Sequence, residues 1–290
     1  MFETPRLVVK QWLSKCSDRI VGPHADAIAV STGDLVLLVD PADFGVGRHL
    51  RFRGRYGVEE LDRLTPLVSR DEDVLVVGSH VGSLVVPLSR HCRRLDAIEA
   101  NPRSFELLRR NLLLNRCDNV VAHPIAAGDR DGEIDFLAGR ANSGGSKIAP
   151  RRPRFRYRFD RPETIRVPMR RLDDVVADRR YGLIVMDIEG AEPLALAGMP
   201  DLLSTCRHLY IEFVPHHLDD VGGVTVDGFC DRLRMFDEVR FTGDPACHHL
   251  AAATARMKEM YRRRKSDDGV LFSRSGTSVD GPAESVGHAA

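Results

Sequence analysis

What the sequence lacks narrows the reading first. No apolar run approaches the ~18 consecutive residues that cross a bilayer. Glu3, Arg6 and Lys10 interrupt the apolar residues between Met1 and Leu13, so an export leader with an unbroken apolar centre is not expected. No two of the six cysteines (Cys16, Cys92, Cys117, Cys206, Cys230, Cys247) stand in CxxC spacing, which argues against a zinc site or a redox pair. Scattered single cysteines in such a chain are expected to be reduced thiols in a cytoplasm. Neither sign of charge is in excess: 42 Lys and Arg balance 42 Asp and Glu, so no global field favours nucleic acid or an acidic membrane. There is no HxxxH pair and no clear metal triad, and no metal is expected.

What is present suits one large α/β domain with decorations. The 290 residues are 43% hydrophobic and 29% charged, a globular balance that buries a sizeable core. Val74 to Gly78 is a continuous apolar run ending in glycine, the pattern of a parallel strand buried on both faces. Leu95–Ala100, Val120–Ala126, Leu183–Ile188, His208–Val214, Glu238–Thr242 and Val270–Ser273 read as further strands. Helical spacing lies between them: Ser83–Cys92, Arg103–Asn115 behind Pro102, Glu192–Leu203 and Val224–Phe236. Alternating strands and helices predict a doubly wound, mostly parallel sheet.

Residues 129–170 break the rhythm and read as a β-rich excursion, with β-like pieces at Glu133–Leu137, Phe155–Phe159 and Thr164–Val167. Residues 1–70 are expected to form an N-terminal cap, with a β-like Leu35–Val39 and a helix near Glu59–Val68. The core then spans 71–274, and the Gly-, Ser- and Ala-rich tail over 275–290 is expected to be disordered.

Four clusters carry chemistry. The first is Gly78-Ser79-His80-Val81-Gly82, at the turn from the first core strand into its helix. Glycines there let backbone approach a ligand, and a helix start supplies free amides. By itself this is equally the mark of a tight, closely packed turn. The second is Glu99, about 20 residues on at the next strand end, where a carboxylate accepts hydrogen bonds from ribose hydroxyls. Together they point to a nucleoside cofactor. The spacing G-x-x-x-G, with Ser79 and His80 between, differs from the GxGxxG that admits a dinucleotide pyrophosphate. It favours the phosphate-free methyl donor S-adenosylmethionine.

The third cluster is Asp187-Ile188-Glu189-Gly190-Ala191-Glu192, after the fourth strand. Strand ends of a doubly wound sheet line the ligand crevice, and Asp187 and Glu189 share strand parity. Glu192 suits the charge of a helix N-terminus. The fourth is Glu212 with His216 and His217 after the fifth strand. A histidine there either takes a proton from a hydroxyl or is a solvated loop residue. Asp187, Glu189 and His216 are expected to line one pocket, with Asp187 or His216 as the base. A divalent ion on Asp187 and Glu189 is an alternative way to acidify a hydroxyl.

The runs VLVVGSHVGSLVVPLSR, LDAIEANPRSFELLRRNLLLN, AAGDRDGEIDF, NSGGSKI, VPMRRLDDV, LIVMDIEGAEPLALAGM and LYIEFVP resemble the FkbM-type methyltransferases over roughly residues 55 to 275. The resemblance implies a class I methyltransferase fold and methyl transfer to a hydroxyl, commonly of a sugar or secondary metabolite. It places Gly78, Ser79, His80 and Gly82 in the cofactor loop and Glu99 on the ribose. Ala126 and Ala127 would then lie near the adenine, and Glu59 would approach the cofactor. It turns Asp187 and Glu189 toward the methionine end and the acceptor, with the Ser143–Lys147 loop beside them. Two positions depart from the family pattern. Val76 stands where the family has an acid, and His80 where it has asparagine. An inactive nucleoside-binding relative is therefore an alternative. A nucleic-acid methyltransferase is another, because Arg151 to Arg161 interleaves arginine with aromatics.

Overall fold

A computed structural model describes residues 3–22, 24–177 and 179–275. The tail over 275–290 lies outside the described residues except for Ser275. The chain opens with helix α1 (Glu3–Val21), an antiparallel hairpin of β1 (Ile28–Thr32) and β2 (Leu35–Val39), and helices α2 (Val46–Arg53) and α3 (Val58–Leu64). It continues as β3 (Asp73–Val77), α4 (Val85–Leu88), β4 (Arg94–Ile98), α5 (Pro102–Leu114) and β5 (Val120–His123). Next come β6 (Ala126–Ala127), β7 (Gly132–Ala138), β8 (Lys147–Ile148) and β9 (Glu163–Arg170). Then α6 (Leu172–Val175), β10 (Tyr181–Met186), α7 (Glu192–Ala197), α8 (Pro200–Thr205) and β11 (His208–Phe213) follow. The last elements are α9 (Pro215–His217), α10 (Val226–Cys230), β12 (Glu238–Arg240), β13 (His248–His249), α11 (Leu250–Arg262) and β14 (Asp267–Ser273).

The large sheet has the order β13-β12-β14-β11-β10-β3-β4-β5. β5, β4, β3, β10 and β11 are parallel, and β14 runs antiparallel between β11 and β12. This is a Rossmann-like, mostly parallel, doubly wound sheet, as the resemblance implied. Every residue of β3 and β10 is buried, as continuous apolar strands require. From β3 the chain winds outward through β4 and β5. It then returns to lay β10 on the other side of β3. The winding direction reverses between β3 and β10, so the crevice opens at their carboxyl ends. Gly78 and Asp187 stand at those two ends.

The excursion forms a second sheet of order β6-β9-β7-β8, with β7 and β9 paired from Gly132↔Met169 to Ala138↔Glu163. Val167 and Met169 alternate inward on β9. Several elements differ from their sequence expectation. Pro124 follows the end of β5, and Ala126 then pairs with β9 instead of extending β5. Phe155–Tyr157 is a 3₁₀ turn rather than a strand, pinned by the buried Tyr157. The helix expected over Glu192–Leu203 is two helices, because Pro200 starts a new one. The helix expected over Val224–Phe236 shortens to α10 and a 3₁₀ turn at Asp231–Leu233, starting at the Thr225 cap. No helix among the described residues is long and apolar enough to cross a membrane.

Candidate active site

The turn after β3 is tied down by protein contacts. The amides of Gly78 and Ser79 both donate to the Ile98 carbonyl of β4 at 2.9 Å. Gly78, His80 and Gly82 all have positive φ, at 94°, 48° and 89°. The glycines were expected to make room for a ligand, but the room is filled by the protein. A Cβ on Gly78 would sit 1.8 Å from the Asp187 carbonyl oxygen, and one on Gly82 would sit 2.8 Å from Leu108. Gly82 therefore shapes the turn from behind, while Gly78, Ser79 and His80 line the cleft beside it.

That cleft has a volume of about 340 Å³, within the range of small-molecule sites. Its apolar part is formed by Ile98, Ile125, Ala126, Ala127 and Phe136. Glu99 lies at the wall and is buried. Its two oxygens accept from the backbone N–H groups of His80 at 2.7 Å and Asn101 at 2.8 Å. Burial pushes its carboxyl up to about 7, against the pull of those backbone donors. Glu59 does not reach the cleft. It is exposed on α3, and its neighbour Glu60 lines the cleft instead. Adjacent helix residues point about 100° apart, so a shift of one position changes the face. Val76 also lines the cleft, buried on β3.

At the β10 end the wall turns acidic. Glu189 and Gly190 both have positive φ, at 58° and 107°. A non-glycine residue in that region is strained and often functional. Glu192 folds back to accept from the amides of Ile188 and Gly190, both at 3.1 Å. It serves as a local cap. Oxygens of Asp187, Glu192 and Glu212 lie within 4.8 Å of one another. Asp187 is open to the cleft by area, yet it sits at the cleft's floor among carboxylates. Burial first, then repulsion from Glu189, Glu192 and Glu60, holds its carboxyl well above the usual range. Burial and repulsion from Asp187 push Glu212 up to about 10. Such a crowd is relieved by a cation. A ligand with a sulfonium and an ammonium close together fits this end; a pyrophosphate does not.

A second cavity of about 250 Å³ opens on the far side of Glu189. Lys147, Arg156, Tyr157, Phe159, His216 and His217 line it, and it shares Asn142 and Glu189 with the first. The single pocket expected for Asp187, Glu189 and His216 is thus two cavities meeting at Glu189. Asp187 faces the first and His216 the second. Position after a strand end gave the right neighbourhood, but α9 carries His216 past the crevice. The Glu189 carboxylate accepts from Lys147 Nζ at 2.7 Å and lies 3.2 Å from His217 Nε2. Lys147 is buried over the Tyr157 ring, 5.0 Å from its centre. His216 stacks on Tyr157, and burial lowers its imidazole to about 4. Lys147, Tyr157 and Glu60 were not singled out from the sequence. The NSGGSKI loop held the one signal for Lys147.

Residues 77–242, more than half of the chain, match the methyltransferase FkbM domain. The chain belongs to the FkbM methyltransferase family. S-adenosylmethionine is its cofactor, in agreement with the acidic end of the cleft. This FkbM protein is 30% identical over 159 residues to the 2-O-methyltransferase NoeI of Sinorhizobium fredii, covering 50% of this chain and 63% of that protein. It is 32% identical over 89 residues to a tRNA(Phe) (4-demethylwyosine(37)-C(7)) aminocarboxypropyltransferase of Methanocaldococcus jannaschii, covering 30% of this chain and 35% of that one. The chain therefore spans less than two thirds of the length of the curated relatives it matches. A solved FkbM methyltransferase from Methylobacillus flagellatus KT aligns with 18% identity and a TM-score of 0.41, over 70% of this chain and 44% of that one. The fold rests on the strand order described above rather than on that likeness.

Proposed function

We propose that this FkbM protein transfers a methyl group from S-adenosylmethionine to a hydroxyl of a small acceptor, such as a sugar or secondary metabolite. The observation that carries the reading is Glu189, a strained carboxylate standing where the two cavities meet. The cofactor supplies an activated methyl group on its sulfonium. Glu99 holds the ribose, Ala126 and Ala127 flank the adenine, and Asp187 with Glu60 receives the cationic end. The acceptor takes the second cavity, between Tyr157 and His216.

Glu189 is the base. Lys147 Nζ donates to its carboxylate at 2.7 Å, and the Glu189 side chain faces both cavities. Asp187 is a weaker candidate because burial and the neighbouring carboxylates disfavour its charged form and raise its pKa. His216 is uncharged near neutrality but does not line the cofactor cleft. The bound cofactor would supply the methyl group to the acceptor oxygen, and Glu189 would take up the proton that the hydroxyl gives off. Such base assistance contributes about 10²–10⁴-fold, and fixed orientation contributes about 7–11 kcal/mol.

The arginine-rich segment supports a small acceptor over a nucleic acid. Arg154 pairs with the buried Asp220 at 2.7 Å, and the Tyr157 hydroxyl donates to the same carboxylate at 3.0 Å. The segment is thereby anchored as a wall of the second cavity. All six cysteines are free, which fits the proposed cytoplasmic location. The test is transfer of labelled methyl from S-adenosylmethionine into metabolite and tRNA fractions. Label in a small hydroxylated molecule, lost in Glu189→Gln, supports the reading. Label in tRNA alone contradicts it.

A further inference from the structure

Three segments far apart in sequence meet at His80. Asp43 lies between β2 and α2, Ser143 lies in the loop after β7, and His80 is in the cofactor turn. His80 Nε2 is 2.7 Å from Ser143 Oγ, and Ser143 Oγ donates to Asp43 Oδ2 at 3.0 Å. Asp43 is itself fixed, because its two oxygens accept from the amides of Gly45 at 2.7 Å and Gly47 at 2.8 Å. The directions follow from what each group is able to do. A carboxylate only accepts, so the one hydroxyl proton of Ser143 goes to Asp43. Ser143 then accepts from His80, and Nε2 must carry the ring proton. Nδ1 is left as a buried lone pair with no hydrogen-bond partner among the described residues.

The backbone of His80 is left-handed, with φ 48°. Few residues adopt that conformation; apart from glycine, asparagine, aspartate and histidine do so most often. In it, the His80 N–H reaches Glu99 Oε2 at 2.7 Å. Histidine visits this conformation as does asparagine, the residue that the family resemblance places here; in this chain the His80 side chain is in addition anchored on Ser143.

We propose that the Asp43–Ser143–His80 chain is a positioning device for the cofactor: it locks His80 in its left-handed conformation and, through the His80 N–H, fixes Glu99 against the ribose. The proposal rests on the cofactor reading above. It makes the N-terminal part of the chain, outside the matched domain, a working component of the cofactor site.

Nitrogen-15 NMR of the histidine rings in the cofactor-free protein tests the chain of hydrogen bonds directly, with His80 assigned by its loss in His80→Asn. The expected result is a single tautomer protonated at Nε2. In Ser143→Ala, His80 should show both tautomers, and calorimetry should find the adenosylhomocysteine dissociation constant raised about tenfold, the effect of one or two lost hydrogen bonds. Ser143→Thr keeps the hydroxyl and should keep the wild-type tautomer. A wild-type His80 protonated at Nδ1 overturns the proposal. So does a folded Ser143→Ala protein with unchanged affinity. A wild-type protein that binds no adenosylhomocysteine contradicts the cofactor reading instead, and the tautomer still decides whether the chain of bonds exists.

Discussion

The Asp187 carbonyl occupies the space that a side chain on Gly78 would need, so the ends of β3 and β10 are locked together at the floor of the cleft. Gly78→Ala would place a Cβ 1.8 Å from that oxygen, at a φ of 94°. The expected loss of stability is roughly 2–5 kcal/mol, from overpacking and backbone strain together. Urea unfolding measures it. A stability equal to wild type would show that the two strand ends separate freely.

Glu99 gives cofactor binding a pH dependence. Its folded carboxyl titrates at about 7 without ligand. A carboxylate that accepts ribose hydroxyls binds best when charged, so the cofactor lowers this pKa. Adenosylhomocysteine affinity should therefore rise as pH increases through 7 and level off above it. Glu99→Gln should remove the dependence, and Glu99→Ala should weaken binding by about 1.5–3 kcal/mol. Calorimetry at pH 6, 7 and 8 checks both; a flat profile in the wild type would remove the ribose role.

Glu212 makes the reverse statement about stability. Its folded carboxyl is raised to about 10, above the unfolded value. A raised pKa stabilises the fold fully only below the unfolded pKa, and that contribution is lost as pH rises toward the folded one. Without cofactor, Glu212→Gln should thus be more stable than wild type at pH 7, by on the order of 1–3 kcal/mol. The advantage should shrink toward pH 4 and grow toward pH 10. Melts across that range that show no crossing trend would mean the carboxylates are already neutralised.

Val76→Asp restores the acid that the family resemblance expects, at a position buried in the cleft wall. It adds a carboxylate to the cleft that Asp187, Glu60 and Glu212 already line. The expected result is a loss of about 1–3 kcal/mol in the free protein, partly recovered on adding adenosylmethionine. Thermal melting with and without ligand reads both. A variant with unchanged stability and no ligand response would show that the loop has no use for the acid.

The parts of this protein written in contiguous runs were legible. Val74–Val77 and Leu183–Met186 are continuous apolar runs, short and β-branched, which suits strands buried on both faces. The acids after β10 followed from strand position alone. The contacts that make these residues a site were not legible, because they join positions with no local pattern between them. Lys147 reaches Glu189 across 42 residues, and Ser143 reaches Asp43 across 100. Glu59 was displaced to Glu60 by one helical step, which a resemblance to a family motif does not resolve. Helix α11 shows a different failure. Its inward residues Ala253, Met257 and Met260 are correctly spaced, but they lie among small and charged residues that dilute the apolar stripe.

The central claim is that the cleft between β3 and β10 holds a phosphate-free, cationic nucleoside. Titration calorimetry with adenosylmethionine and with NAD tests it most directly. One molecule of adenosylmethionine should bind per chain, more weakly in Glu99→Ala, with no heat from NAD. Binding of NAD, or no binding of adenosylmethionine to the folded protein, would contradict it.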